Sequence, residues 1–96
     1  MRGSLFLLHY LPRNDASTEA RLGVVVAKKL VKRAVGRNLI KRIAREQFRQ
    51  KRGQLPACDL ILRLASKPAR LDRQQFAAEI VGLLEKLQQR GRMGRL

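Results

Sequence analysis

Short apolar stretches with strand character alternate along this chain with longer ones whose apolar residues recur at helical spacing. Leu5 to Leu11 is apolar on both sides and rich in large side chains, which predicts a buried or half-buried strand. With a period of two, Leu5, Leu7, His9 and Leu11 point one way and Phe6, Leu8 and Tyr10 the other. Pro12 ends the strand, and Pro12 to Ser17 reads as a polar, turn-forming loop. Leu22 to Ala27 is short and β-branched, the next strand, and the loop between them suits an antiparallel hairpin. Gly23 inside it indicates either a close backbone approach or a bulge. From Lys28 to Gly36 two readings stand: a brief third strand at Leu30-Val31, or an irregular connection.

A helix is predicted to begin near Val35 to Asn38 and to run to about Arg52, with Gly53 as its stop. At about 100° per residue, Leu39, Ile40, Ile43 and Ala44 share one side. Asn38, Lys41, Arg42, Arg45 and Arg49 fall on the other, within an arc of roughly 100°. Pro56 precedes a further strand, Asp59 to Ala65, with Arg63 as its one charged interior residue. Asp72 followed by Gln75 resembles a capping box opening the last helix. Phe76, Ile80, Leu83, Leu84 and Leu87 give that helix one core face. Gly91 is predicted to end it, leaving residues 90–96 as a short, flexible basic tail. The order strand, strand, helix, strand, helix predicts an α+β fold, a single domain over residues 1–96 with a helix linking two strands.

Charge changes the picture more than any other property. With 22 Lys and Arg against 7 Asp and Glu, the chain carries +15, and 45% of its residues are hydrophobic. The charge is interleaved with apolar residues from Arg21 to Arg52, so it belongs to a folded surface and not to an unfolded arm. Self-repulsion at that charge destabilises the compact state, and an anionic partner relieves it. RNA, DNA and an acidic membrane are the candidates. Strands fill too much of the chain for a membrane-surface helix, no apolar run approaches the ~20 residues of a membrane span, and helix-turn-helix spacing is absent. The start, Met1 to Leu8, has a basic residue before an apolar run, but the run is too short for a signal peptide and no small-residue cleavage site follows. Cys58, the one cysteine, reads as a small buried apolar residue and fits a reducing cytoplasm.

The candidate chemistry is binding. His9 is the one histidine, so a histidine acid and base pair is excluded, and a structural or stacking role suits it better. The acids are scattered, with no close pair for a two-metal nuclease, and no phosphate-loop or dinucleotide motif is present. No cofactor and no small-molecule substrate are expected. Glu46, on the basic helix, is expected to pair with Arg42 or Arg49. Lys and Arg neutralise phosphates and release counterions, and arginine adds a planar fork for phosphate and a face that stacks on bases. Asn38 beside Arg37 offers a donor and an acceptor for a ribose hydroxyl or base edge. Charge density alone leaves open a ribosomal-protein-like RNA binder with no processing role.

The segments Arg21-Leu-Gly-Val-Val-Val-Ala-Lys-Lys29, Ala34-Val-Gly-Arg-Asn-Leu-Ile-Lys-Arg42 and Arg45-Glu-Gln-Phe48 resemble the bacterial ribonuclease P protein component. That family's pattern is R-x-G-(apolar)-K-K, a short spacer, then R-N-R-x-K-R-x-x-R-E-x-F, and the similarity extends to the outer strands and the closing helix. The resemblance implies a small two-layer sandwich whose mixed sheet has a rare left-handed strand–helix–strand crossover. It implies a basic protein joined to a catalytic RNA, ribonuclease P RNA, which removes the 5′ leader of precursor tRNA using Mg²⁺ held with the RNA. It implies RNA contacts from Lys28, Lys29, Arg37, Asn38, Lys41, Arg42 and Arg45, to which the basic segment itself adds Arg33 and Arg49 as candidates, a leader cleft at Leu7 and His9, no catalytic or metal-binding residue in the protein, and a cytoplasmic setting. Leu39 stands where the family has a second arginine, and its helical angle places it toward the core. The family also has a helix before its first strand, whereas this chain begins almost at that strand. The expectation is a more open cleft, or a start lying further upstream.

Overall fold

Alternation of buried and exposed side chains, strictest in the strand Cys58–Leu64, decides how the sheet is built. The computed structural model of the chain describes residues 1–12 and 19–93, with side chains through Arg90. In chain order its elements are β1 (Phe6–Pro12), β2 (Arg21–Val25), α1 (Ala34–Lys51), a 3-10 turn (Arg52–Gln54), β3 (Cys58–Leu64) and α2 (Arg73–Met93). Along β3, Cys58, Leu60, Leu62 and Leu64 are buried, while Ile61 and Arg63 face out.

The hairpin expected between the first two strands does not form. The sheet order is β1-β3-β2, with β1 antiparallel and β2 parallel to the central β3. The physical reason is burial: the strand with four fully covered side chains gains most from a neighbour on each edge, and β2 is shorter with only half-buried inward residues. β2, α1 and β3 therefore make a strand–helix–strand crossover, and the sheet is mixed, as the resemblance implies. The expected loop at residues 13–17 lies outside the described residues. Before β1, residues 1–4 turn back along it: the Met1 amine donates to the Leu8 carbonyl at 2.9 Å and Leu8 N–H donates to the Met1 carbonyl at 2.8 Å.

Both helices cover one face of the sheet. Phe6 and Leu8 of β1 and the inward residues of β3 meet Ile40 and Ala44 of α1 and Phe76, Ile80, Leu83, Leu84 and Leu87 of α2 in one core. The last five are the face predicted from spacing, all nearly inaccessible. Phe6 and Phe76 pack edge to face with ring centres 6.0 Å apart. Among the described residues no polar or charged side chain is fully buried.

Of the two readings for Lys28 to Gly36 the irregular connection holds, and both expected glycine stops are corrected. Leu30-Val31 is no strand: both amides turn back to the Ala27 carbonyl, at 3.0 and 3.2 Å, so the connection is irregular. Gly53 and Gly91 do not act as left-handed stops, since no described glycine has positive φ. α1 instead tightens into the 3-10 turn, and α2 continues through Gly91 to Met93, so the first part of the expected tail is helical. Asp72 caps α2 as expected, its Oδ1 accepting from the Gln74 and Gln75 amides at 3.0 and 3.2 Å. The reciprocal half of the box is replaced by an Asp72 N–H bond to the Arg70 carbonyl at 3.1 Å.

Candidate nucleic-acid interface

The helix phase read from the sequence places the charge where it can be used. Gly36, Ile40 and Ala44 are the buried positions of α1, and the opposite side carries Asn38, Arg42, Arg45 and Arg49 in solvent. These four and Glu46 surround one shallow concavity of ≈ 400 Å³. Lys41 is half-buried at the edge of this stripe. Lys28 and Lys29 are exposed on the turn after β2, and Arg33 is exposed at the start of α1.

The predicted cations are not equivalent. Arg49 forms a two-pronged contact with Glu46, Nη2 to Oε1 at 2.7 Å and Nε to Oε2 at 3.4 Å, and Gln50 Nε2 adds a bond to Oε1 at 3.3 Å. The hydrogen bond from Arg49, then that from Gln50, holds the Glu46 carboxyl below the ordinary range, and the same pairing raises Arg49. Of the two partners expected for Glu46, Arg49 is therefore the one found. Arg37 is half-buried, and its Nη1 donates to the Val31 and Lys32 carbonyls at 3.0 and 2.7 Å, so this motif arginine also fastens the loop before the helix. Lys28, Lys29, Arg33, Lys41, Arg42 and Arg45 have no acidic partner among the described residues. Their charge is unneutralised by any acid among the described residues.

Leu7 and His9 lie apart from that stripe, on the open face of the sheet. Pairing register sets Leu7 beside Arg63, with Val25 on the far side of that residue, and His9 beside Ile61, with Gly23 beyond it. At Gly23 an added Cβ would sit 3.1 Å from Ile61 Cδ1, so the residue keeps the middle of this face low: a close approach and not a bulge. Ile61 and Val25 remain 43% and 46% exposed there, so the open face carries apolar side chains in solvent. Arg21 and Asp59 close one end of the face with an ion pair at 2.9 Å. Sequence reasoning missed Val25 on this face, Ile61 as the cross-strand neighbour of His9, and Arg63 as that of Leu7. The alternation of β3 carries the signal for the last two, but only the sheet order joins them to β1.

Leu39 is not in the core. It is half-buried, lining a groove between α1 and α2 with Arg42, Ile43, Arg73 and Ala77. Its helical angle lies at the margin of the apolar arc, and the two helices do not close over that margin. Among the described residues, no group of three or more His, Cys, Asp or Glu is placed to hold a metal ion, and no helix is long and apolar enough to cross a membrane.

Comparison with known proteins agrees with this geometry. The family model described as Ribonuclease P matches residues 1–88. The ribonuclease P protein component of Azoarcus sp. (strain BH72) is 53% identical over 89 residues, covering 93% of this chain and 72% of the relative. That of Aromatoleum aromaticum is 49% identical over 83 residues, covering 86% and 68%. The RNase P protein of Staphylococcus aureus superposes with a TM-score of 0.77 at 27% identity, covering 90% of this chain and 76% of that one. The RNase P protein of Thermotoga maritima, solved with 1-(4-fluorophenyl)-2-thiourea, gives 0.74 at 27% identity, covering 90% and 82%. With the family model matching nearly the whole chain and relatives at about 50% identity, this chain belongs to the ribonuclease P protein component family.

Proposed function

We propose that this chain is the protein subunit of the tRNA-processing endonuclease ribonuclease P, binding its RNA subunit through α1 and the 5′ leader of precursor tRNA across the open sheet face. The observation that carries the reading is the pair Arg42 and Arg45, exposed on one side of a rigid helix and neutralised by no acid among the described residues. Phosphates of a folded RNA are the partner that such a surface fits. Lys28, Lys29, Arg33 and Asn38 extend the same contact. Arg37 positions the preceding loop, and Arg49 joins after exchanging Glu46 for phosphate.

The leader, a single strand, lies over Leu7, His9, Val25 and Ile61. His9 and the aliphatic side chains meet bases, and Arg63 meets the backbone. The RNA, with its bound Mg²⁺, supplies the phosphodiester hydrolysis, and this protein acts by binding and positioning in the cytoplasm. The test is reconstitution with ribonuclease P RNA at low Mg²⁺. Precursor cleavage is expected to rise on adding the protein, and the protein by itself is expected to cut nothing. Absence of stimulation, or cleavage without RNA, would overturn the reading.

A further inference from the structure

A second concavity lies at the start of α1, away from the basic stripe. Ten residues line it: Leu30 to Arg33, Val35, Gly36, Lys67, Pro68, Arg70 and Leu71, around a volume of ≈ 400 Å³. Its floor is aliphatic and unusually open, with Val35 73% and Leu71 46% exposed. Its rim holds four cations, Lys32, Arg33, Lys67 and Arg70, and no acid, and α1 has no acid in its first turn. None of the four has an acidic partner among the described residues.

Two features show that this groove is built rather than left over. A Cβ at Gly36 would meet Val31 Cγ1 at 2.8 Å and Leu71 Cδ1 at 3.1 Å, so glycine is what lets the loop before α2 settle against the start of α1. Arg37 fixes the opposite wall through the Val31 and Lys32 carbonyls. The rim and floor therefore hold a defined spacing.

We propose that this groove binds one unpaired nucleotide of the RNA partner, its base against Val35 and Leu71 and its flanking phosphates on Lys32, Arg33, Lys67 and Arg70. The proposal rests on the reading that the partner is RNA, and adds a contact beyond the α1 stripe and the sheet face, sharing only Arg33 with the former. Charge complementarity demands an anion, and the aliphatic floor demands an apolar face beside it. A nucleotide joins the two within a few ångströms. The volume is that of a small-ligand pocket, and ten lining residues fall short of the roughly 20–30 a side that a stable protein interface uses.

The test uses the full chain and ribonuclease P RNA. Val35→Ser with Leu71→Ser removes the floor at exposed positions, Lys67→Gln with Arg70→Gln removes part of the rim, and Arg45→Ala is the reference. The floor variant, which loses the apolar surface a base would cover, is expected to lose about tenfold in RNA affinity with the salt slope unchanged. The rim variant, two cations fewer, is expected to lose affinity with a slope shallower by about 1.5. Hydroxyl radicals from iron-EDTA tethered at Val35→Cys are expected to cut the RNA within an unpaired stretch. A floor variant that binds like the parent overturns the proposal, as do cuts confined to paired helices, which would make the groove a phosphate contact only. If the groove variants have no effect while Arg45→Ala weakens binding, the nucleotide site fails and the RNA reading stands. If no variant changes affinity, both fail.

Discussion

Arg45→Ala, measured beside Arg42→Ala and Arg49→Ala, separates the three arginines that share one concavity. Arg42 and Arg45 are exposed and make no ion pair among the described residues, so their removal leaves folding stability within about 0.5 kcal/mol. Any loss of RNA affinity then reports the contact itself. One charge-assisted hydrogen bond to phosphate contributes about 1–2 kcal/mol, or about 5- to 30-fold in Kd. Each phosphate no longer neutralised makes the plot of log affinity against log salt shallower by about 0.7–0.9. Arg49 differs because Glu46 already holds its guanidinium at 2.7 Å, and binding RNA means exchanging one anion for another. Its alanine variant is expected to lose about threefold or less. Fluorescence anisotropy of labelled ribonuclease P RNA at several KCl concentrations gives affinity and slope together. Equal losses at all three positions, or losses without a change in slope, would refute the argument that internal pairing ranks these residues.

Other expectations follow from single contacts. Glu79 Oε2 accepts from the Leu5 and Phe6 amides at 2.8 and 2.7 Å, tying α2 to the start of β1, so Glu79→Ala should cost about 2–3 kcal/mol and lower Tm by roughly 10–20 °C. Glu79→Gln keeps an acceptor and should recover about half, and a Tm within 2 °C of the parent for the alanine variant, about 0.5 kcal/mol at most, would contradict the role. Leu39→Arg should fold normally, because the side chain lines an open groove, and should gain RNA affinity several-fold, held back by Arg42 and Arg73 beside it. A fall in Tm of more than about 10 °C would mean that Leu39 is a core residue after all. The Glu46–Arg49 pair has a pH signature. Its carboxyl is held below the ordinary glutamate value of 4.5, so its contribution is present above that value and disappears as pH falls through the lower folded-state value. Thermal midpoints of the parent and Glu46→Gln should differ above pH 4.5 and converge in more acid solution, and a constant gap would show that the pair does not titrate as argued.

Most of the helical architecture was legible because one face of each helix must be covered, and covered faces recur at 3.6 residues. Phe76 through Leu87 and Ile40 with Ala44 could be assigned from spacing, and the stripe from Asn38 to Arg49 follows from the same phase. Leu39 could not, since it lies at the margin of the arc, where burial depends on how near α2 comes. Nor could the fates of Arg37 and Arg49, because a cation's spacing does not say whether a carbonyl or a carboxylate will reach it first. Glu46 was the one clue, and it left Arg42 and Arg49 equally placed. The apolar groove at Val35 and Leu71 joins residues 36 positions apart, and Gly36 at the join carries no mark of its contact in the local sequence.

By itself, the order of residues determined what each segment is and which of its sides is apolar, because those depend on backbone period and on water avoiding hydrocarbon. It also determined the sign of the partner, since +15 on a folded surface calls for an anion. Tertiary structure alone decided that β3 runs between β1 and β2, and so set His9 beside Ile61, with Gly23 on the far side of it. Strand pairing is a competition among distant segments for the central place, settled by total burial across the sheet. No local pattern carries that sum.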